Sequence, residues 1–126
     1  MKYLLKTILM LSLMFAGTVM AGTLPYTQAT FDKLQHEGKP ILVAIQADWC
    51  PTCRAQAPII ESLLKQKNYQ GITSLRVDFD NQKDIVRAFH VSRQSTLIVF
   101  KHGEEVGRSL GDTAPESIEN LLRKAL

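Results

Sequence analysis

Only two cysteines, Cys50 and Cys53, and one tryptophan, Trp49, occur in the 126 residues. That scarcity excludes the usual structural zinc site, which takes four ligands as two cysteine pairs or as one pair with nearby histidines. The three histidines, His36, His90 and His102, are scattered singly and read as ordinary solvated side chains. A metal bridged between two subunits by the cysteine pair is the one metal arrangement this leaves. Internal repeats, low-complexity tracts and linkers are also absent after the first 21 residues, so the chain reads as one domain.

Net charge is scarce as well. The chain carries 15 Lys+Arg against 12 Asp+Glu, but Lys2 and Lys6 lie in "MKYLLKTILMLSLMFAGTVMA". Setting those two aside leaves 13 against 12, a net of about +1 without a basic stripe, and no case for nucleic acid. That opening segment has its charges at the front, an uncharged apolar run from Ile8 to Met20, and small residues in Val19-Met20-Ala21. This is the layout of a secretory signal peptide cleaved after Ala21. The apolar run is shorter than the roughly 20 residues a spanning helix needs, so stable membrane insertion is not expected. No cysteine stands at the cleavage site to take a lipid. Residues 1–21 are therefore expected to be a leader, and residues 22–126 an exported, periplasmic domain acting as a monomer.

What is present is an alternation of elements. "TQATFDKLQHEGK" carries Phe31 and Leu34 at helical spacing and stops at Gly38. "PILVAIQA" (40–47) is a short apolar run, the look of a strand buried on both faces. A helix is predicted from Pro51 to about Lys67, with Ala57, Ile60, Leu63 and Leu64 inward and a kink at Pro58. A strand at 72–80 follows, with Leu75, Val77 and Phe79 alternating, then a helix at 81–91 showing Ile85, Val86 and Phe89. Strands at 95–101 and 104–110 flank a Lys101-His102-Gly103 hairpin turn. "TAPESIENLLRKAL" closes the chain as a helix capped by Thr113, with Ile118, Leu121, Leu122 and Leu126 inward. The fold class is α/β: a mixed central sheet, parallel early and antiparallel at the hairpin, with helices on both faces.

The cysteine pair falls where the central strand ends and the long helix begins. A helix N-terminus carries unsatisfied N–H groups and about half a positive charge, which favours a thiolate there. Cys50 is therefore expected to be an exposed, attacking sulfur of lowered pKa. Cys53 lies one turn on, near disulfide range, as the resolving sulfur. As a structural staple the pair is nearly useless, because two intervening residues close almost no loop. Attack on a substrate disulfide followed by resolution, or the reverse path, is the chemistry such a pair performs.

Trp49-Cys50-Pro51-Thr52-Cys53 resembles the Trp-Cys-x-x-Cys active site of the thioredoxin family. Pro58 falls at that family's kinking proline, and Phe100, Gly103 and Gly111 match its late Phe, hairpin Gly and final Gly. The resemblance covers essentially all of residues 22–126. It implies a thioredoxin fold and thiol–disulfide exchange without a cofactor, with Cys50 and Cys53 catalytic and joined as a redox-active disulfide. It also implies a substrate groove at Trp49, Pro51, Thr52, Gln94, Ser95 and Thr96, with Trp49 at the surface and Pro51 and Thr52 tuning the site. Implied partners are proteins carrying disulfides or dithiols, and an upstream electron donor or acceptor.

Three departures stand out. Pro51-Thr52 replaces the common Gly-Pro, which leaves the direction of electron flow open, with reductase favoured over oxidase only by general likeness. Ala44 stands where many thioredoxins bury an aspartate; Asp48 is the nearest replacement carboxylate, against its plainer reading as a solvent-facing side chain. Ser95 stands at the family's cis-proline; a non-proline cis bond costs about 2.5–4 kcal/mol, so the Gln94–Ser95 peptide is expected to be trans, with the Ser95 hydroxyl near the sulfurs. These losses keep two other readings in play: a metal-binding or metal-delivery protein using the two thiolates, and a non-catalytic interaction module.

Overall fold

The structure, a computed structural model, describes residues 22–126. The expected leader at 1–21 lies outside the described residues. In chain order the elements are β1 (Thr23–Pro25), α1 (Gln28–His36), β2 (Ile41–Gln46), α2 (Pro51–Leu64), a short 3₁₀ turn (Lys67–Tyr69), β3 (Thr73–Asp78), α3 (Lys83–Ala88), β4 (Thr96–Lys101), β5 (Glu104–Leu110) and α4 (Pro115–Arg123). The five strands form one sheet in the order β1-β3-β2-β4-β5. β1 and β2 pair parallel with β3, while β4 pairs antiparallel with both β2 and β5.

β2 lies at the centre, and its side chains alternate between two cores. Leu42 and Ala44 face the layer of Ile60, Leu63 and Leu64 from α2 and Ile118, Leu121 and Leu122 from α4. Ile41, Val43 and Ile45 face the other layer, with Phe31 of α1 and Val86 of α3. Burying each large aliphatic side chain contributes roughly 1.5–3 kcal/mol, so a strand apolar on both faces binds two helix layers at once. On the second face Phe31 meets Phe89 and Phe100 edge-on, with ring centroids 5.3 and 5.2 Å apart.

Several expectations need correction. β1 was not foreseen; three exposed residues ending in a proline carry no readable pattern. In α2 the buried position is Gln56, not Ala57, which lies exposed. Thr113 does not cap α4: the N-cap is Ala114, whose N–H is held by the Asp112 carboxylate at 3.0 Å. Leu126 follows the last helical turn and is exposed rather than inward-facing. The helix at 81–91 shortens to six residues, because the chain leaves helical geometry at Phe89 and enters the left-handed region at His90.

Candidate active site

β2 delivers the chain to its C-terminal edge, and α2 starts five residues later. Cys50 is the N-cap of α2: its backbone is extended, and its sulfur accepts the Cys53 N–H at 3.2 Å. Pro51 occupies the first helical turn, where its missing N–H costs nothing. The helix continues past Pro58 to Leu64, so the proline does not end it. Both cysteines are free thiols.

Cys50 is not the exposed sulfur that its place at the helix start suggested. It is 1% exposed and Cys53 is 3% exposed. Capping explains the difference, because the Cys50 side chain must turn inward to accept the helix N–H. There it meets the Ser95 hydroxyl at 3.1 Å, and the same hydroxyl lies 3.1 Å from Cys53 Sγ.

The two thiols are electrostatically unlike. Burial works to raise the Cys50 thiol. Hydrogen bonds from the Cys53 thiol, the Ser95 hydroxyl and the Cys53 and Thr52 backbone outweigh it, and its pKa falls below the usual range. Burial raises the Cys53 thiol, and its bond to Cys50 raises it further. The Ser95 hydroxyl and the Ala47 backbone offset only part of that. The helix-terminus expectation of a lowered Cys50 therefore holds, with hydrogen bonds as the means.

Ser95 is held in a conformation that L-residues avoid. Its φ is 65°, and the Gln94–Ser95 peptide is trans, as the cost of a non-proline cis bond required. A left-handed non-glycine residue costs roughly 1–2 kcal/mol. Three bonds hold it: the Ser95 N–H donates to the Ile45 carbonyl at 2.8 Å, and its carbonyl accepts from Gly111 N–H at 2.9 Å and from Gln56 Nε2 at 3.3 Å. Gly111 itself has φ 71°, which only glycine takes up freely. Gln56 Nε2 also donates to the Asp112 carbonyl at 2.8 Å, while its Oε1 is buried without a partner. Sequence reasoning missed Gln56; the signal was a polar residue three positions after Cys53, on the same face of α2.

Trp49 lies at the surface as expected, 57% exposed, and its Nε1 donates to the Asp80 carboxylate at 2.7 Å. Asp78 builds the turn that presents Asp80, accepting from the N–H groups of Asp80 and Asn81. Pro51 is exposed, and Thr52 and Gln94 are half-buried. Thr96 is buried, and its hydroxyl donates to the Arg93 carbonyl at 2.7 Å. Asp48 points to solvent and pairs with Arg76, which fits its plainer reading and removes it as a buried carboxylate. Ala44 is buried among aliphatic side chains. The three histidines are exposed at separate places. A cleft of about 230 Å³, lined by Gln46, Ala47, Asp48, Cys53, Arg54 and Arg76, opens beside Cys53.

Comparison with known proteins accords with this arrangement. The family model described as Thioredoxin matches residues 22–124. A thioredoxin of Chlamydia muridarum is 37% identical over 84 residues, covering 67% of this chain and 80% of its own. A thioredoxin of Coprinus comatus is 31% identical over 96 residues, covering 76% and 90%. Among solved structures, Trxlp from Edwardsiella tarda is 41% identical with a TM-score of 0.76, covering 78% of this chain and 95% of its own.

Proposed function

The chain belongs to the thioredoxin family and is a thiol–disulfide oxidoreductase, and from that premise we propose that it reduces protein disulfides, Cys50 attacking and Cys53 resolving. The unlike thiols carry this reading. Cys50 holds the lowered pKa and so supplies the thiolate, while Cys53 keeps its proton until Cys50 is engaged. Reduction rather than oxidation is favoured by the general likeness to thioredoxins. Substrates are proteins with accessible disulfides, met by a monomer at the face carrying Trp49 and Pro51, and an electron donor returns the pair to the dithiol. The charges at Lys2 and Lys6, the apolar run and Val19-Met20-Ala21 support export to the periplasm with loss of residues 1–21.

Two measurements test the reading. The reduction potential of the Cys50–Cys53 couple should lie near the thioredoxin value of about −270 mV; a value near −120 mV would make the protein an oxidant. Cys53→Ser should accumulate mixed disulfides through Cys50, and Cys50→Ser should trap few. Equal trapping by both variants would refute the assigned roles.

A further inference from the structure

The Ser95 hydroxyl is the one side-chain hydroxyl bonded to either sulfur among the described residues, at 3.1 Å from each. Ser95 is 3% exposed, so water does not compete freely for that hydroxyl. No other side chain supplies this role. Ala44 is apolar, Asp48 is turned outward to Arg76, and the one donor group of Gln56, Nε2, is engaged with two backbone carbonyls. A hydroxyl has one proton to donate, so it can serve only one sulfur at a time.

We infer that Ser95 is a catalytic residue whose hydroxyl donates to the two sulfurs in turn, to the Cys50 thiolate before attack and to the nascent Cys53 thiolate during resolution. The inference rests on the order of attack proposed above. In the reduced protein the Cys50 thiolate is the stronger acceptor and takes the O–H. Once Cys50 Sγ is bonded to a substrate sulfur it is neutral and a weak acceptor. Rotation of the hydroxyl then turns its proton to Cys53, 3.1 Å away, without movement of the backbone.

Resolution balances as follows. Cys53 gives its thiol proton to water in the adjoining cleft. Its thiolate pair forms the bond to Cys50 Sγ, and the Cys50–substrate S–S bond breaks. The departing pair stays on the substrate sulfur, which takes a proton from water. The cysteine pair is oxidised by two electrons and the substrate disulfide is reduced by two. The charged side chains beside Cys53 are Asp48 and Arg76 from the β2 and β3 side and Arg54 from α2. Gln56 meets only the main-chain carbonyl of Asp112, whose carboxylate accepts the Ala114 N–H.

The test uses Ser95→Gly and Ser95→Ala with the aromatic disulfide DTNB in stopped flow. One equivalent of the coloured thiol reports attack and the second reports resolution. Glycine removes the hydroxyl and relieves the left-handed backbone, whereas alanine removes the hydroxyl and keeps the strain. A hydrogen bond to a charged group accounts for roughly a 10- to 100-fold effect. Both variants should therefore resolve about 10-fold or more slowly near pH 7, by similar factors, and ultraviolet thiolate titration should show the Cys50 pKa raised. The resolution deficit should shrink as pH rises and Cys53 ionises unaided. Wild-type resolution rates in both variants would overturn the assignment, as would a deficit unchanged across pH or present in only one of them. Cys53→Ser separates the two claims. A first equivalent released by Cys53→Ser upholds the attack by Cys50 whatever Ser95 does, and none released removes both.

Discussion

Replacing Ala44 with aspartate would place a carboxyl where the surrounding cluster is aliphatic apart from the Tyr69 hydroxyl, which donates to Glu119 at 2.7 Å. Ala44 is central in β2, flanked by Arg76 on β3 and Leu97 on β4, and is 1% exposed. Full burial raises a carboxyl by up to 3–5 pKa units. A rise of about three units takes the group from about 3.9 in the unfolded chain to about 7 in the folded one. The neutral form is then the one the fold accepts, so stability is greatest below the unfolded pKa and falls as pH rises towards the folded one. At about 1.36 kcal/mol per unit, the ionisation penalty is about 1.5 kcal/mol at pH 5 and about 4 kcal/mol at pH 8. A packing cost of about 1–3 kcal/mol, independent of pH, adds to both. Urea unfolding of wild type and Ala44→Asp at the two pH values gives the numbers, with the cysteines oxidised so that no thiol titrates. The variant's deficit should be about 3 kcal/mol larger at pH 8 than at pH 5. An equal deficit at both would refute the claim that this position is closed to water.

Tyr26, buried with its hydroxyl donating to Gln28 at 3.0 Å, has its pKa pushed up to about 12, first by burial and then by Asp32. Its contribution should be fully present below about pH 10 and lost as the pH rises through about 12. Tyr26→Phe should flatten that alkaline decline in denaturant titrations; an unchanged slope would place the loss elsewhere. Intact mass of the exported protein should begin at Gly22, and retention of residues 1–21 in a membrane fraction would contradict the leader assignment.

Where the sequence carried a strong local pattern, the structure follows it. The run 40–47 reads as a doubly buried strand because Ile41 to Ile45 are apolar without a break, and β2 is buried over those five residues. The hairpin is legible because Gly103 sits at φ 79°, the conformation its turn demands. The failures arise where the deciding contact is distant or the segment is short. β1 is defined only by pairing Thr23, Leu24 and Pro25 with Ser74, Leu75 and Arg76 of β3, some fifty positions away. Gln56 rather than Ala57 faces inward because its amide finds the Ser95 and Asp112 carbonyls, 39 and 56 positions on. Composition cannot announce either partner.

The site, too, was legible in part. The spacing of Cys50 and Cys53 at a strand-to-helix turn is local, and it was enough to forecast unlike thiols. The inward turn of Cys50 was not foreseen, although its cause is local: the sulfur caps the Cys53 N–H and so turns in to where the Ser95 hydroxyl was expected. Ala44 and Ser95 look like two unrelated losses when read along the chain, and the structure makes them one arrangement. A trans peptide with a left-handed φ brings a hydroxyl between the sulfurs, and the Ser95 N–H is free to hold that turn on the Ile45 carbonyl. Proline has neither the hydroxyl nor the N–H. With a donor already facing both sulfurs, a carboxylate at position 44 is no longer the only way to ionise Cys53, and an apolar Ala44 can complete the core beneath it.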